Sequence, residues 1–130
     1  MKHLKFLFGL VGVTICLSSC GQTNSDRLIL GKQYAERELK ATLKDDKSNN
    51  VVDNKTVVIK DSSTAVAVAE PILFGIYGKT NILSQKPYEI YHIDNYWALA
   101  GTLPKGWKGG TFLIIMDDRN CRILKLIHGK

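Results

Sequence analysis

The sequence predicts an α+β domain in which one amphipathic, kinked helix packs on a curved four-stranded antiparallel sheet. Two observations lead to this class. Apolar residues recur at a helical period over residues 64–77, and four short segments rich in strand-forming residues follow over residues 88–127, separated by turn signals. One helix followed by a strand meander buries its apolar stripe on one face of the sheet. The composition, 130 residues with 45% hydrophobic and 23% charged, suits one small domain.

The first twenty residues have the three parts of a bacterial export signal. Lys2 and Lys5 come first, the apolar run of residues 6–17 follows, and small residues end it. This run is shorter than the about 20 apolar residues of a membrane-spanning helix. Its end, LSSC at residues 17–20, resembles the bacterial lipobox, which implies cleavage before Cys20 and diacylation of its sulfur. An ordinary secretory signal, or a buried helix with an incidental cysteine, is the alternative.

Cleavage after residue 19 changes both the charge and the cysteine count. It removes two lysines, so basic residues fall from 18 to 16 against 12 acidic, and the net charge falls from +6 to +4. This mild excess gives no reason to expect a nucleic-acid partner. Cys16 leaves with the signal and Cys20 carries lipid, so Cys121 has no partner for an internal disulfide. We interpret Cys121 as a small apolar residue at the start of a strand.

Residues 20–50 are predicted to join the lipidated cysteine to the folded unit. The polar stretch GQTNSD at residues 21–26 has no apolar period and is typical of a tether. A weak helix is predicted over residues 28–44, and the polar run DDKSNN at residues 45–50 ends it. The apolar residues that share one face of this helix are Ala35, Leu39 and Leu43.

The folded unit is predicted to start at residue 51. Residues 55–61 form a short strand or an extended segment that leads into a helix cap, because Asp61 and the two serines after it are good N-cap residues. Pro71 cannot donate a hydrogen bond within the helix and should kink it, and Gly78 can end it with a positive φ. The predicted core-facing residues of the helix are Val66, Ala69, Leu73, Ile76 and Tyr77.

Four strands are predicted at residues 88–93, 96–103, 111–116 and 122–127. Asp94 and Asn95 tolerate left-handed conformations and suit a two-residue hairpin turn between the first two. The last two flank DDRN, where Asn120 is expected in the left-handed position. Alternation places Trp97, Leu99 and Leu103 on one face of the second strand, and the third strand is apolar on both faces, so we expect it to be internal.

The connection between the second and third strands, LPKGWKGG at residues 103–110, is longer than a hairpin needs. Gly109 and Gly110 can supply positive φ or a bulge. Trp97 is predicted to be a core residue. For Trp107 two interpretations stand: a lid over the end of the sheet, or an exposed binding anchor between two lysines.

Four motifs occur in order over residues 64–130: TAVAVAEPILFGIYGK, QKPYEIY, YWALAGTLPKGWKGGTFLIIM and RILKLIHGK. Together they resemble the bacterial nuclear transport factor 2-like fold immunity proteins. The resemblance implies a partial cone-shaped fold for residues 51–130 and a protein that binds and neutralises a toxin of a polymorphic, contact-delivered system. The family pattern has a glycine in the last hairpin turn, whereas this chain runs DDRN directly into Cys121. With a lipid at Cys20, the protein would face the periplasm or extracytoplasmic space of the cell envelope.

An enzyme of the same fold superfamily is the competing class. Its acid or base candidates, Glu70, His92, Asp94 and His128, are those nearest the apolar stripes. We interpret Glu70 as an exposed or hydrogen-bonded carboxylate, His92 as a surface residue and His128 as structural. The sequence has no catalytic triad motif, no paired-carboxylate or metal-ligand spacing and no phosphate-binding glycine loop. We therefore predict no catalytic residue, no metal and no cofactor.

The predicted partner surface joins a basic, aromatic loop to nearby tyrosines, since tryptophan and tyrosine favour interfaces and lysines complement an acidic partner. A non-catalytic lipoprotein adaptor of the envelope would share this surface and the lipid anchor, and homodimerisation stays open. The residues proposed for partner binding are Lys105, Trp107, Lys108 and the exposed members of Tyr88, Tyr91 and Tyr96.

Overall fold

The structure, a computed structural model, describes residues 27–45 and 49–129. They belong to two compact units that meet in sequence between residues 46 and 47. The predicted signal peptide, Cys20 and the polar tether lie outside the described residues. In the described part, none of the helices combines the length and apolar character needed to cross a membrane.

The first unit contains helix α1 (Gly31–Leu43), which lies within the predicted helix 28–44. None of its residues is buried. An ion pair on its surface joins Lys32 Nζ to Glu36 Oε1 at 3.3 Å, one turn apart. Leu30 occupies the N-cap position without a side-chain hydrogen bond, so the start of α1 has no capping side chain.

The second unit opens with helix α2 (Ser62–Tyr77). The Asp61 carboxylate caps it by accepting a hydrogen bond from the Thr64 amide at 2.7 Å, and Gly78 ends it with φ 85°, as predicted. Pro71 lies inside the helix. The predicted core-facing row is wrong at Ile76, which is 57% exposed, because the fully buried residues follow one i, i+4 row, which the partly buried Tyr77 and not Ile76 continues. That row consists of Ala65, Ala69 and Leu73.

Of the two segments that flank α2, one differs from its predicted form and the other matches one of its two alternatives. Residues 79–83 form a short helix, α3 (Lys79–Leu83), which buries Ile82, where only a connector was expected. Of the two alternatives for residues 55–61, the extended segment is found: it joins no ladder, but the amides of Val58 and Ile59 both donate to the Asp118 carbonyl, at 2.8 and 2.9 Å.

Four antiparallel strands form one sheet in chain order, with the third strand internal as predicted. Asp94 has φ 53° in the two-residue turn that places Ile93 opposite Tyr96, so the first hairpin is also as predicted. A register shift between Ile115 and Met116 marks a bulge against the last strand. The strands are β1 (Glu89–Ile93), β2 (Tyr96–Ala100), β3 (Phe112–Asp117) and β4 (Ile123–His128).

The turn between β3 and β4 differs from its prediction. Cys121 holds the left-handed position, with φ 59°, and is exposed, so it is neither a buried apolar residue nor part of a strand. Asn120 acts through its side chain instead: its Oδ1 accepts from the Arg122 amide at 2.9 Å and its Nδ2 donates to Asn54 Oδ1 at 2.7 Å. The positive φ therefore falls on the residue after the asparagine.

One hydrophobic core lies between α2 and one face of the sheet. Alternate residues of β2 and β3 point into it, as the sequence pattern predicts. The α+β class with a four-stranded antiparallel sheet is confirmed. The buried core consists of Ile59, Ala65, Ala69, Leu73, Ile82, Trp97, Leu99, Phe112, Ile114 and Met116.

Candidate functional site

The segment between β2 and β3, residues 101–111, is here named the tryptophan loop. Its first end is held by three hydrogen bonds. The Gly101 amide donates to the Phe112 carbonyl at 3.0 Å, the Thr102 amide donates to the Gln85 carbonyl at 2.9 Å, and the Thr102 hydroxyl donates to the Pro87 carbonyl at 2.8 Å. The loop therefore leaves the sheet in a fixed direction.

Its second end is held by backbone contact with the last strand. The Gly129 amide donates to the Thr111 carbonyl at 3.0 Å, and the two glycine backbones approach so closely that a Cβ at Gly110 would overlap the Gly129 carbonyl. Gly109 has φ 153°, which a residue with a Cβ rarely adopts. The paired glycines of this loop are thus needed for close approach and for backbone conformation.

Gln85 is the residue beneath the loop that sequence reasoning missed. It is 3% exposed, and its Oε1 accepts the Phe112 amide at 3.0 Å. Its Nε2, with the amide assigned this way round, lies 3.0 Å from His128 Nε2, so His128 accepts there and its Nδ1 donates to the Gly129 carbonyl at 2.8 Å. A Cβ at Gly101 would collide with the Gln85 side chain. His128 is structural, as interpreted from the sequence.

The tip of the loop is a tight turn that displays Trp107. The Trp107 amide donates to the Pro104 carbonyl at 3.0 Å, and Gly106 has φ 87°. The Trp107 side chain is 72% exposed, so it is not a buried lid. Lys105 and Lys108 are also exposed, which leaves an indole between two cations at the surface.

The three tyrosines of the predicted partner surface are in different places. Tyr88 is half-buried: its hydroxyl donates to Glu70 Oε1 at 3.1 Å, and burial, with that hydrogen bond, raises its pKa to about 12. Tyr91 is 55% exposed and lies opposite Ala98, halfway along the edge strand β1. Tyr96 begins β2, at the end of the sheet away from the tryptophan loop. Of the residues proposed for partner binding, only Tyr91 and the three loop residues are exposed.

At that other end of the sheet, two carboxylate side chains are buried, and the first is Asp118. Asp118 has no exposed surface; its Oδ2 accepts from His92 Nε2 at 2.7 Å, and its Oδ1 has no hydrogen-bond partner within residues 27–45 and 49–129. The His92 ring lies 4.5 Å from the ring of Trp97, whose Nε1 donates to the Ile59 carbonyl at 2.9 Å. These contacts close the hydrophobic core at this end of the sheet.

A second buried carboxylate lies next to the first. Arg119 holds Asp117 through two parallel bonds, Nε to Oδ1 at 2.9 Å and Nη2 to Oδ2 at 2.7 Å. These bonds, opposed by burial, lower the pKa of Asp117 to about 2. Asp117 therefore stays ionised at neutral pH.

The remaining acid or base candidates from the sequence are also accounted for. Glu70 is the hydrogen-bonded carboxylate that one interpretation expected, with Lys86 Nζ at 2.8 Å in addition to Tyr88. Asp94 is exposed in the first hairpin turn. The described residues contain no pocket and no group of three side chains suited to a metal ion.

Comparison with known proteins identifies the family. A family model described as NTF2 fold immunity protein, Imm-NTF2-2, matches residues 64–130. The uncharacterised protein YbbC of Escherichia coli (strain K12) is 30% identical over 118 residues, 88% of either chain. The uncharacterised protein YhhH of the same strain is 32% identical over 74 residues, 56% of this chain and 58% of YhhH. No solved structure matches. With its family model covering just over half of its length, the chain belongs to the NTF2 fold immunity proteins.

Proposed function

We propose that this protein is a membrane-anchored immunity protein that binds a cognate bacterial toxin and neutralises it by protein–protein contact. Membership of the NTF2 fold immunity proteins supports the immunity role and a toxin partner. The lipobox-like LSSC at residues 17–20 supports anchoring through Cys20, with the folded unit facing the periplasm or extracytoplasmic space. Neutralisation by binding requires no catalytic residue, metal or cofactor.

One observation carries the placement of the toxin-binding surface: an exposed tryptophan on a loop that is fixed at both ends. Trp107 is 72% exposed, and tryptophan is among the residues that contribute most when buried at an interface. Hydrogen bonds hold the loop at Gly101 and at Thr111. Because a fixed loop loses little conformational freedom on binding, more of the contact energy is available as affinity.

The charges around Trp107 define the partner surface. Lys105 and Lys108 are exposed on either side of the indole. Neither takes part in an ion pair among the described residues. We therefore propose an acidic toxin surface with an apolar recess that receives the indole, since such complementarity speeds association and selects the partner. Tyr91, exposed on β1, is the tyrosine best placed to widen this contact.

The test is a growth assay with the C-terminal domain of the protein encoded beside this gene. That domain is produced in the periplasm or in the cytoplasm, with and without residues 21–130 in the same compartment. Rescue that depends on this chain is the expected result. A domain without toxicity, or toxicity that this chain does not relieve, would contradict immunity and favour the envelope adaptor.

The binding surface is tested by a double variant, Lys105→Glu with Trp107→Ala. It should lose toxin affinity and rescue without unfolding. Lys55→Glu is a matched control, because Lys55 is exposed and lies outside the tryptophan loop. Unchanged affinity in the double variant would refute this placement while leaving the immunity role standing.

A further inference from the structure

We propose that helix α1, with the apolar residues that precede it, lies in the plane of an anionic membrane surface. The inference rests on the proposed lipid anchor at Cys20. It assigns to residues 27–44 a contact with lipid headgroups and the acyl boundary, in addition to their place between the anchor and the folded unit.

The apolar surface of this segment is uncovered. Leu28 and Ile29 are 90% and 77% exposed, and Leu43 is 77% exposed. An amphipathic helix normally buries its apolar stripe, and here no residue of α1 is buried. The large apolar residues exposed between residues 28 and 43 are Leu28, Ile29, Leu30, Tyr34, Leu39 and Leu43.

The charges of the segment fit an anionic surface. Residues 27–44 contain five basic and two acidic residues. At about 100° per residue, Arg37, Lys40 and Lys44 lie roughly 100° or more around the helix from Leu39. Lys32 lies on the apolar side, where a long side chain extends its ammonium group toward the headgroups. Cations close to an anionic leaflet are attracted to it, so these side chains favour contact with the surface.

The position of the segment in the chain keeps it at the membrane. Gly31 follows Cys20 by eleven residues, and a fully extended chain spans at most about 3.6 Å per residue, or about 40 Å here. A lipid at Cys20 therefore confines α1 to a thin layer above the bilayer, where its effective concentration at the surface is high. Under that condition a weakly amphipathic helix is enough to bind the membrane surface. A protein partner that is not confined to this layer does not gain from the high effective concentration.

The experiment places fluorophores on opposite sides of α1 in the lipidated chain, purified from membranes and reconstituted into vesicles. Leu39→Cys carries the probe on the apolar side and Arg37→Cys carries it on the polar side, both with Cys121→Ser so that one thiol reacts. Vesicles of phosphatidylethanolamine with phosphatidylglycerol are compared with vesicles of phosphatidylcholine, each with and without brominated lipid.

In the anionic vesicles, we expect the emission of the probe at position 39 to shift to the blue and to be quenched by brominated lipid. The emission of the probe at position 37 should stay like that of a probe in water. Lys40→Glu with Lys44→Glu should reduce the quenching several-fold. Any of three results would overturn the inference. The first is that both probes stay water-like, and the second is that brominated lipid quenches both equally. The third is a Leu39 response that needs added toxin or a higher protein density. The last result would assign the face to the toxin or to a second copy.

Mass spectrometry of the purified chain separates this inference from the proposal it rests on. A chain without lipid at Cys20 would refute the anchor and, with it, the placement of α1. Lipid at Cys20 with silent probes would refute the placement of α1 alone. The growth assay reports on immunity in either case.

Discussion

Trp97 and Trp107 lie in neighbouring parts of one chain and have opposite environments. Trp97 is 8% exposed, and its indole N–H donates to the Ile59 carbonyl at 2.9 Å, whereas Trp107 is 72% exposed at the tip of the tryptophan loop. Strand alternation turns the first indole into the core. A tight turn at Gly106 turns the second into solvent. The same side chain therefore stabilises the fold at one site and is available for binding at the other.

The two ends of the sheet extend this contrast. The hairpin end, defined by Asp94 and by the turn after Asp117, is closed by the buried carboxylates Asp117 and Asp118 with their partners and by Trp97. The loop end, where the tryptophan loop meets β4, is held by the neutral amide of Gln85 and by the contact between Gly110 and Gly129. We expect changes at the hairpin end to lower stability and changes at the tip of the loop to lower toxin affinity.

The largest effect on stability is expected from Trp97→Ala. The substitution removes a large core side chain and leaves the Ile59 carbonyl without its donor, so it should lower the free energy of unfolding by about 3–5 kcal/mol. Urea denaturation followed by circular dichroism measures it. Trp97→Phe, which keeps most of the packing, is the control and should lose less. A loss below about 1 kcal/mol for Trp97→Ala would mean that the hairpin end does not depend on this indole.

At the loop end, Gly110→Ala should be the most damaging substitution. Its Cβ would overlap the Gly129 carbonyl, so the last strand or the loop has to shift, which typically lowers stability by about 1–3 kcal/mol. Gly75→Ala is the matched control, because Gly75 lies within α2 with no atom in the way and alanine favours helix by about 0.5–1 kcal/mol. Equal and small effects of the two variants would show that the close approach does not fix the loop.

Arg119→Gln should lower stability less, and in a way that depends on pH. Arg119 holds the pKa of Asp117 at about 2, below its usual 3.8, so the ion pair adds stability above pH 4 that is lost as the pH falls from about 3.8 to about 2. The difference between wild type and variant should therefore be full at pH 6 and shrink across that window. Urea denaturation at several pH values measures it, and a difference that is constant from pH 6 to pH 2 would contradict this role of Asp117.

Much of the sheet was predictable because its signals are local. Alternation placed Trp97 and Leu99 in the core, and the pair that begins with Asp94 fixed the first hairpin. The exposure of Ile76 was missed, since a helical period alone does not tell which of two adjacent rows faces the core, and here it is the row of Leu73 and Tyr77. In the last turn, Cys121 holds the left-handed position, while the Asn120 side chain accepts from the Arg122 amide and donates to the Asn54 side chain, a distant partner that the local pattern does not show.

The candidate site was predictable only in part, because only some of its features are local in the sequence. A loop too long for its hairpin, with Trp107 between two lysines, is visible in the sequence. Gln85 was not, because its partners Phe112 and His128 are brought to it only by the fold. Asp118 likewise follows a strand as an ordinary turn residue, and only the tertiary structure buries it against His92. Contacts between distant segments leave no local pattern in the sequence.

The smallest effect on stability, and a large one on binding, is expected from Trp107→Ala. An exposed side chain at a loop tip contributes little to folding, so the free energy of unfolding should change by less than about 0.5 kcal/mol. If the indole is the anchor of the toxin contact, its loss should cost about 2 kcal/mol or more of binding free energy, roughly a 30-fold weaker Kd. Calorimetric titration with the toxin domain and urea denaturation, made on one preparation, measure both.

Trp107→Phe is the control for this variant, since it keeps an aromatic ring at the tip and should retain part of the affinity. A loss of stability comparable to that of Trp97→Ala would show that Trp107 packs on the folded unit and would end the contrast between the two tryptophans. Unchanged stability with unchanged affinity would leave the loop rigid but unused by the toxin. In that event the surface around Tyr91 becomes the one to test, because Tyr91 is the other exposed aromatic side chain of the predicted set.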